Sequence, residues 1–568
     1  MNTLVDLERK RENLYKQLQE TGDFRRGIIS VTYRKCGKKN CACAKEGHPG
    51  HGPQHLWNTT IKGRSYAKSL KLGPEMEKYL EEIANHQRFM RLCDELVEVN
   101  EQICTLRPVA EIDDDNELVA LKKKFAAAIH GEVQKEIDRV VDQYGKEKRA
   151  NGSFDLEAFE FSIRSGMHGV GSKLLEALIN SDGGYRGAAI TCENGHTAAF
   201  VDYREKELLT VVGKVTVRRA YYHDRECHVG FCPKDDELDI VATGYSPGVR
   251  RLMSRVGAMR PFGLGHNDLY ELADIRVTTK EVERQSHIVG GQIEQFHQSE
   301  VALSEKVIPI KAIPRMYVSM DGTGVPVVKK ETADRRGKDG GQAKTREAKL
   351  GCIFTQVGVD KEGRPIRDEQ STSYIGAIET ADNFAVRLYN EAKRRGINSA
   401  SEACVIGDGA LWIWNIADEQ FHGACQIVDL YHAREHYWNV AKDCFKSKEE
   451  QSKWAEGRRL ELNDGNVEAV IKAIEALAYM PGYDKELCER EIGYFEKNKE
   501  RMRYADFKKR GLFVGSGVME AGCRTVVGQR LKQSGMHWTV NGANSIIALR
   551  CNLLSNRWED FWEYRAAA

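Results

Sequence analysis

Apolar residues recur at helical spacing from residue 75 to 106, where Met76, Leu80, Ile83, Met90, Val97 and Ile103 form a stripe. Residues 4 to 20 read as a second helix. Between them, Trp57-Asn-Thr-Thr-Ile-Lys-Gly-Arg-Ser-Tyr66 predicts a β-hairpin turning at Lys62-Gly63. Pro108 and the acidic run Asp113 to Glu117 predict a linker, followed by a helix over about 118 to 150 and a glycine break at Gly183-Gly184. From 187 to 232 the pattern shortens to strands, as in Leu208 to Tyr222, with Cys and His at both ends. Residues 246 to 305 return to helix, and Thr278-Thr-Lys-Glu281 has the spacing of a capping box. Helix, tight turn, helix suits both a DNA-reading helix-turn-helix and an ordinary helical hairpin.

The stretch from 314 to 433 alternates. It predicts strands at Met316 to Met320, Leu350 to Gly358 and 365 to 374, then a helix from Glu379 to Arg395. A strand at Ala403 to Ile406, a helix at Leu411 to Gln420 and a strand at Gln426 to Val428 complete it. Three strands followed by helix, strand, helix, strand is the order of an RNase H-like core. Residues 433 to 512 carry helical periodicity, and a last long helix runs from Gly517 through Glu520 to about Gln533. The expected fold class is thus α/β multidomain, with an RNase H-like core preceded by helical and small β modules. The divisions fall at 1–110 (helical hairpin with a basic Cys/His β module), 111–180 (helical linker region) and 181–245 (β module). They continue as 246–305 (helical), 306–432 (first part of the core), 433–512 (helical insertion) and 513–568 (C-terminal helices completing the core).

Composition narrows the classes. With 568 residues, 41% of them hydrophobic, the chain has material for several cores, which excludes a disordered or fibrous protein. No run approaches the roughly 18 apolar residues of a spanning helix, and the first residues lack signal-peptide order, so a cytoplasmic location without a membrane partner is expected. Fifteen cysteines in such a chain point to metal binding or buried thiols rather than a disulfide framework. The net charge of +1 is a cancellation: residues 31 to 70 hold eight Lys and Arg against Glu46 alone. Residues 329 to 349 hold eight against four acids, and residues 521 to 550 hold four and no acid. Such concentrations are either solvated faces or the footprint of a polyanion.

Two-metal phosphoryl transfer needs carboxylates converging from different elements, because hard Mg²⁺ takes oxygen ligands. Asp321 ends the first strand of the alternating region, Asp408 ends its fourth, and Glu520 lies on the last helix. In an RNase H-like core these elements are neighbours. Asp-Gly alone is a common turn; the joint placement singles out the three acids. Separately, Cys36-x4-Cys41-x-Cys43 with His48 and His51 nearby can satisfy tetrahedral Zn²⁺, and the expected set is Cys36, Cys41, Cys43 and His48.

Met320-Asp-Gly-Thr-Gly-Val-Pro326, Lys344-Thr-Arg-Glu-Ala-Lys-Leu-Gly-Cys-Ile-Phe-Thr-Gln356, Tyr374-Ile-Gly-Ala-Ile-Glu379, Gly407-Asp-Gly-Ala-Leu-Trp-Ile-Trp-Asn415, Ile427-Val-Asp-Leu-Tyr-His-Ala-Arg-Glu-His436 and Gly515-Ser-Gly-Val-Met-Glu520 resemble the signature blocks of the ISKra family of bacterial insertion-sequence transposases. The likeness covers roughly residues 310 to 565 strongly and 150 to 305 loosely. It implies that Asp321, Asp408 and Glu520 are a DDE triad holding two Mg²⁺ ions, with Mn²⁺ as a substitute. It also implies that Asp429 and His432 match an Asp-x-x-His motif supporting catalysis. Lys344, Arg346, Lys349, Arg524, Arg530, Lys532, His537 and Trp538 are then expected at DNA, and the partners would be terminal inverted repeats, target DNA and further copies of the chain near the bacterial nucleoid. Cys192, His196, Cys227 and Cys232 stand where the family tends to carry a zinc ribbon, with His223 and Asp224 as nearby substitutes for missing thiols. The N-terminal Cys module resembles a small domain of unknown function seen in mobile-element proteins. Two alternatives remain open: Asp321-Gly-Thr-Gly324 also resembles the phosphate loop of actin-like ATPases, and a non-catalytic or domesticated DNA-binding regulator could retain the same acids.

Overall fold

The computed structural model describes residues 4–61, 64–106, 115–151, 155–192, 194–304, 313–337, 340–480 and 484–567. The expected turn at Lys62-Gly63 and the start of the expected linker, Asp113 and Asp114, lie outside them. The chain divides into two compact units, Met1–Lys124 and Phe125–Ala568. The described residues are mixed α/β and contain three separate sheets.

In the first unit, β1 (Ile28–Arg34), β2 (His51–Ile61) and β3 (Arg64–Leu70) form an antiparallel sheet in sequence order. The flanking helices, Leu4–Gln19 and Pro74–Leu106, bury Leu7 and Leu14 against Leu92, Val99 and Ile103. Of the stripe read from the sequence only Ile103 joins this seam, while Leu80, Met90 and Val97 are exposed, because the face that meets the first helix is the one spaced Leu92, Leu96, Val99 and Ile103.

The second unit begins its β structure with β4 (Ala189–Thr191), β5 (Thr197–Thr210), β6 (Gly213–Asp224) and β7 (Val229–Phe231), an antiparallel meander. Helices Pro247–Met259, Phe262–Ala273 and Thr279–Ser304 follow. Ser246 caps the first by accepting from Val249 N, with Pro247 at the position where a missing N–H costs nothing. The break before the third is turned by Asp274 in the left-handed region, and Thr278 Oγ1 accepts from Glu281 N as the capping spacing predicts.

The largest sheet contains β8 (Ile313–Pro326), β9 (Thr345–Val359), β10 (Pro365–Arg367), β11 (Ser373–Ala377), β12 (Ala400–Gly407) and β13 (Cys425–Val428). Its order is β10-β9-β8-β12-β13, with β11 also on β9. The pairs β8–β9, β9–β10 and β9–β11 are antiparallel, while β8–β12 and β12–β13 are parallel. The strand expected over 365 to 374 is two short strands instead. The centre of β9 is buried on both faces, as the apolar run Leu350 to Phe354 requires. Helix Ala381–Arg394 connects this antiparallel part to β12, and Leu411–Gln420 connects β12 to β13.

After β13 come helices Leu430–Cys444, Lys448–Asn463, Val467–Ala478, Lys485–Asn498 and Tyr504–Lys509, and the chain then returns to the sheet. The expected last long helix is segmented: α-helix Gly517–Gly522, a π-helical stretch Cys523–Gly528 and a short turn Gln529–Leu531. Helix Val540–Leu554 packs against Thr279–Ser304 and β11, where Asn544 Oδ1 accepts from Ile378 N at 2.7 Å.

Candidate active site

The parallel register of β8 and β12 pairs Ser319 with Ile406. Two residues further along come Asp321, still inside β8, and Asp408, past the end of β12, and the charge of Asp408 reaches the Asp321 carboxyl. Asp408 lies one residue beyond β12, and its Oδ1 accepts from Ala410 N at 2.9 Å. Helix Gly517–Gly522 packs on β8 and β9. One turn after Glu520, Cys523 Sγ donates to Asp321 Oδ2 at 3.3 Å. The bond ties the chain just after Glu520 to Asp321, but among the described residues the carboxylate oxygens of Asp321, Asp408 and Glu520 are not all within 4.8 Å of one another. Glu520 is exposed, whereas Asp321 is partly buried.

Burial pushes the Asp321 carboxyl above the usual carboxylate range, against the lowering by the Cys523 thiol and the Gly322 N–H. The charge of Asp408 adds to the rise, and His432 opposes it. Asp321 is thus a carboxylate short of positive charge with a second carboxylate nearby, an all-oxygen donor pair of the kind a hard divalent cation fits.

Asp429 is fully buried and caps helix Leu430–Cys444. Its Oδ1 accepts from Tyr431 N (2.6 Å) and His432 N (2.9 Å), and its Oδ2 accepts from Ser516 N. With both oxygens engaged, Asp429 is a clip between the start of the helical insertion and the residue that opens the Glu520 helix. Leu430 N donates to Val514 O at 2.9 Å beside it.

The expected cationic residues separate into two groups. Lys532 is exposed, and its Nζ reaches Thr323 Oγ1, two residues past Asp321, at 2.5 Å. Lys344, Arg524 and His537 are exposed, and Arg346 is partly exposed with Nη1 on Glu331 O at 3.2 Å. Three others are not on the surface. Lys349 is buried, bonded through Nζ to Glu347 Oε2 at 2.7 Å and held near the Trp412 ring. Arg530 is fully buried, donates to Gly257 O at 2.9 Å and lies over Phe262 and Trp538. Trp538 is itself buried, edge-on to Phe262, with Nε1 on Leu531 O. Both belong to the core, so a DNA contact by these two side chains or by Lys349 is corrected to a packing role.

In the first unit, Cys36, Cys41, Cys43 and His51 bring one ligand atom each within 4.8 Å of one another. Cys36 Sγ is 3.4 Å from Cys43 Sγ, and Cys41 Sγ is 2.9 Å from His51 Nε2. Tetrahedral Zn²⁺ with bonds of about 2.3 Å to sulfur separates its ligand atoms by roughly 3.5 to 3.8 Å, so this group could hold a metal ion such as zinc. The Lys38 backbone N–H, the Cys43 thiol and His51 hold the Cys36 thiol down to about 6, towards the thiolate a metal needs. The expected ligand His48 is replaced by His51, because His48 Nδ1 is occupied in accepting from Gly50 N at 3.0 Å.

The second cluster is Cys192, His196, Asp224 and Cys227, again within 4.8 Å. The Cys192 and Cys227 sulfurs are 4.0 Å apart, and His196 Nδ1 lies 3.0 Å from Cys227 Sγ. Asp224 is fully buried: Oδ1 accepts from Glu226 N and Cys227 N, and Oδ2 lies 3.8 Å from His196 Nδ1. The expected Cys232 is not in the cluster. It is buried at the start of helix Pro233–Glu237, and the carboxylate of Asp224 takes its place.

Residues 4–77 match a family model described as a domain of unknown function, DUF6788. Among solved structures, the Drosophila P element transposase strand transfer complex aligns with 55% of this chain and 79% of that chain at 10% sequence identity, with a TM-score of 0.20. Among curated proteins no match was found. No helix among the described residues is long and apolar enough to cross a membrane.

Proposed function

We propose that this chain is a DNA transposase of the DDE type, resembling the ISKra insertion-sequence family, that cleaves and transfers strands at the ends of its element. The observation that carries the reading is the convergence of Asp321 and Asp408 on adjacent strand paths, with the Glu520 helix tied to Asp321 through Cys523. The sheet order, antiparallel on one side of β8 and parallel on the other, supports an RNase H-like core with a helical insertion. Bound divalent ions, Mg²⁺ or Mn²⁺, would supply activation of the attacking oxygen and neutralise charge on the scissile phosphate. The chain's own part is to hold them with Asp321, Asp408 and Glu520 and to fix Asp321 through Cys523. Lys532, beside Thr323, and exposed Arg524 present cations to the flanking phosphates, and Lys344, Arg346 and His537 extend that surface. Two or more copies of the chain would bring the two DNA ends together.

The test is Mg²⁺-dependent cleavage of DNA carrying the inverted repeats that flank the gene. Strand breaks at the repeat ends are expected, and undiminished cleavage by Asp408→Ala or Glu520→Ala would overturn the assignment.

Zinc at both cysteine clusters belongs to the same reading, each acting as a structural staple for its module. Metal analysis of the purified protein should give two zinc ions per chain. His51→Ala and Asp224→Asn should each remove one, while His48→Ala and Cys232→Ala should remove none. Loss of zinc in either of the last two would reinstate the ligand sets read from sequence spacing.

A further inference from the structure

We propose that Tyr494, carried by the helical insertion, is a positioning residue for Asp408, an inference that rests on the metal-holding role given above to Asp321, Asp408 and Glu520. Asp408 stands in a turn just beyond β12, so the direction of its carboxylate follows the backbone path from Gly407 to Ala410. That path is held from outside the sheet. The Tyr494 hydroxyl donates to the Asp408 backbone carbonyl at 3.0 Å. Gly409 has φ +101, and a Cβ there would fall 2.5 Å from Tyr494 Cε2, so glycine both permits the turn and lets the ring approach.

The ring is in turn fixed. It stacks on the His436 imidazole with centroids 3.5 Å apart and planes 15° from parallel. His436 Nδ1 is bonded to the buried Glu491 carboxylate, one turn before Tyr494 on the same helix. His436 lies on the helix capped by Asp429, so both anchors of the tyrosine trace to residues already placed near the carboxylates. Burial, with Asp408 and Asp429 close by, pushes the Tyr494 phenol up, which keeps it a proton donor through the physiological range. Partners that orient a metal ligand typically change metal affinity by about 10- to 100-fold when removed.

The experiment uses the full-length chain with Tyr494→Phe, which deletes one oxygen and leaves the stacked ring. The Mg²⁺ concentration for half-maximal cleavage should rise about tenfold. Mn²⁺ binding without DNA, read by electron paramagnetic resonance, should weaken in parallel, with the melting temperature almost unchanged. Gly409→Ala, which pushes the ring away, should reproduce the shift. Unchanged Mg²⁺ requirement and Mn²⁺ affinity in Tyr494→Phe, with binding lost in Asp408→Ala, would overturn the positioning role alone. Full Mn²⁺ binding and cleavage in Asp408→Ala would overturn the underlying metal site and this inference with it.

Discussion

Asp321→Asn should abolish Mg²⁺-dependent strand cleavage while raising the melting temperature of the metal-free protein. On the metal-holding role proposed for Asp321, the loss follows from removing an ionic ligand: several kcal/mol of metal-derived transition-state stabilisation correspond to a fall of about 10³-fold or more. The gain follows from the same geometry. Asp321 is partly buried, faces the charge of Asp408, and has its proton affinity raised by both. A group whose folded pKa exceeds its unfolded value stabilises the fold at low pH and costs stability as pH rises through that range. At neutral pH without metal the carboxylate is therefore a liability, and the neutral isostere relieves it by about 2 °C in melting temperature. Calorimetry with and without Mg²⁺ provides the check: wild type should be stabilised by the ion and the variant should not. Equal Mg²⁺ stabilisation of both proteins would remove Asp321 from the metal site.

The second large effect is expected at Arg530, and on stability rather than on DNA binding. Its guanidinium is enclosed by Phe262 and Trp538 and bonded to Gly257 O, which ties the segment after the π-helical stretch to helix Pro247–Met259. Burial lowers its pKa to about 10, a sign of how completely water is excluded. Arg530→Ala would leave a cavity and an unpaired Gly257 carbonyl, costing about 3 kcal/mol in denaturant unfolding. Arg530→Met keeps the apolar stem and should cost less than half as much. The salt dependence of DNA binding should be unchanged in Arg530→Met, whereas Lys532→Ala should reduce its slope by about one phosphate contact. A reduced slope in Arg530→Met would return the residue to the DNA surface.

Arg530 also illustrates where sequence reading reaches and where it stops. Strands and helices of the alternating region were legible because their apolar runs have the right lengths and are separated by turn residues; β12, β13 and helix Leu411–Gln420 fall within a few residues of expectation. The position of Asp408 just past a strand end was legible for the same reason, whereas β8 does not end at Asp321 as expected but runs on to Pro326, because Gly322 to Pro326 stay paired with Thr345 to Lys349 of β9. Charge was the poorer guide. Arg530 lies in the stripe Val526, Val527, Leu531 that faces the core, and Lys349 sits between buried Ala348 and Leu350, so periodicity outweighed the basic character of both segments. His51 could not be chosen over His48, nor Asp224 over Cys232, from spacing: the first choice depends on Gly50 N having taken His48 Nδ1, the second on the fold placing Cys232 at the buried start of helix Pro233–Glu237. Cys523 and Tyr494 left no signal beyond proximity to Glu520 in one case and none in the other. Tyr494 is remote in sequence from the turn it supports.

The Asp429 clip and the Leu430–Val514 bond have a consequence for how such a chain can change over time. Together they close the more than eighty intervening residues into a loop whose two feet touch, so the sheet experiences the whole excursion as a short turn. Lengthening such a loop costs little, since closure entropy grows only with the logarithm of its length. Changes of length are therefore cheapest in the parts of the excursion that do not touch the sheet. That freedom ends wherever the excursion touches the sheet: Arg501 donates to Gln426 Oε1, the Tyr504 hydroxyl to Val428 O and the Tyr494 hydroxyl to Asp408 O.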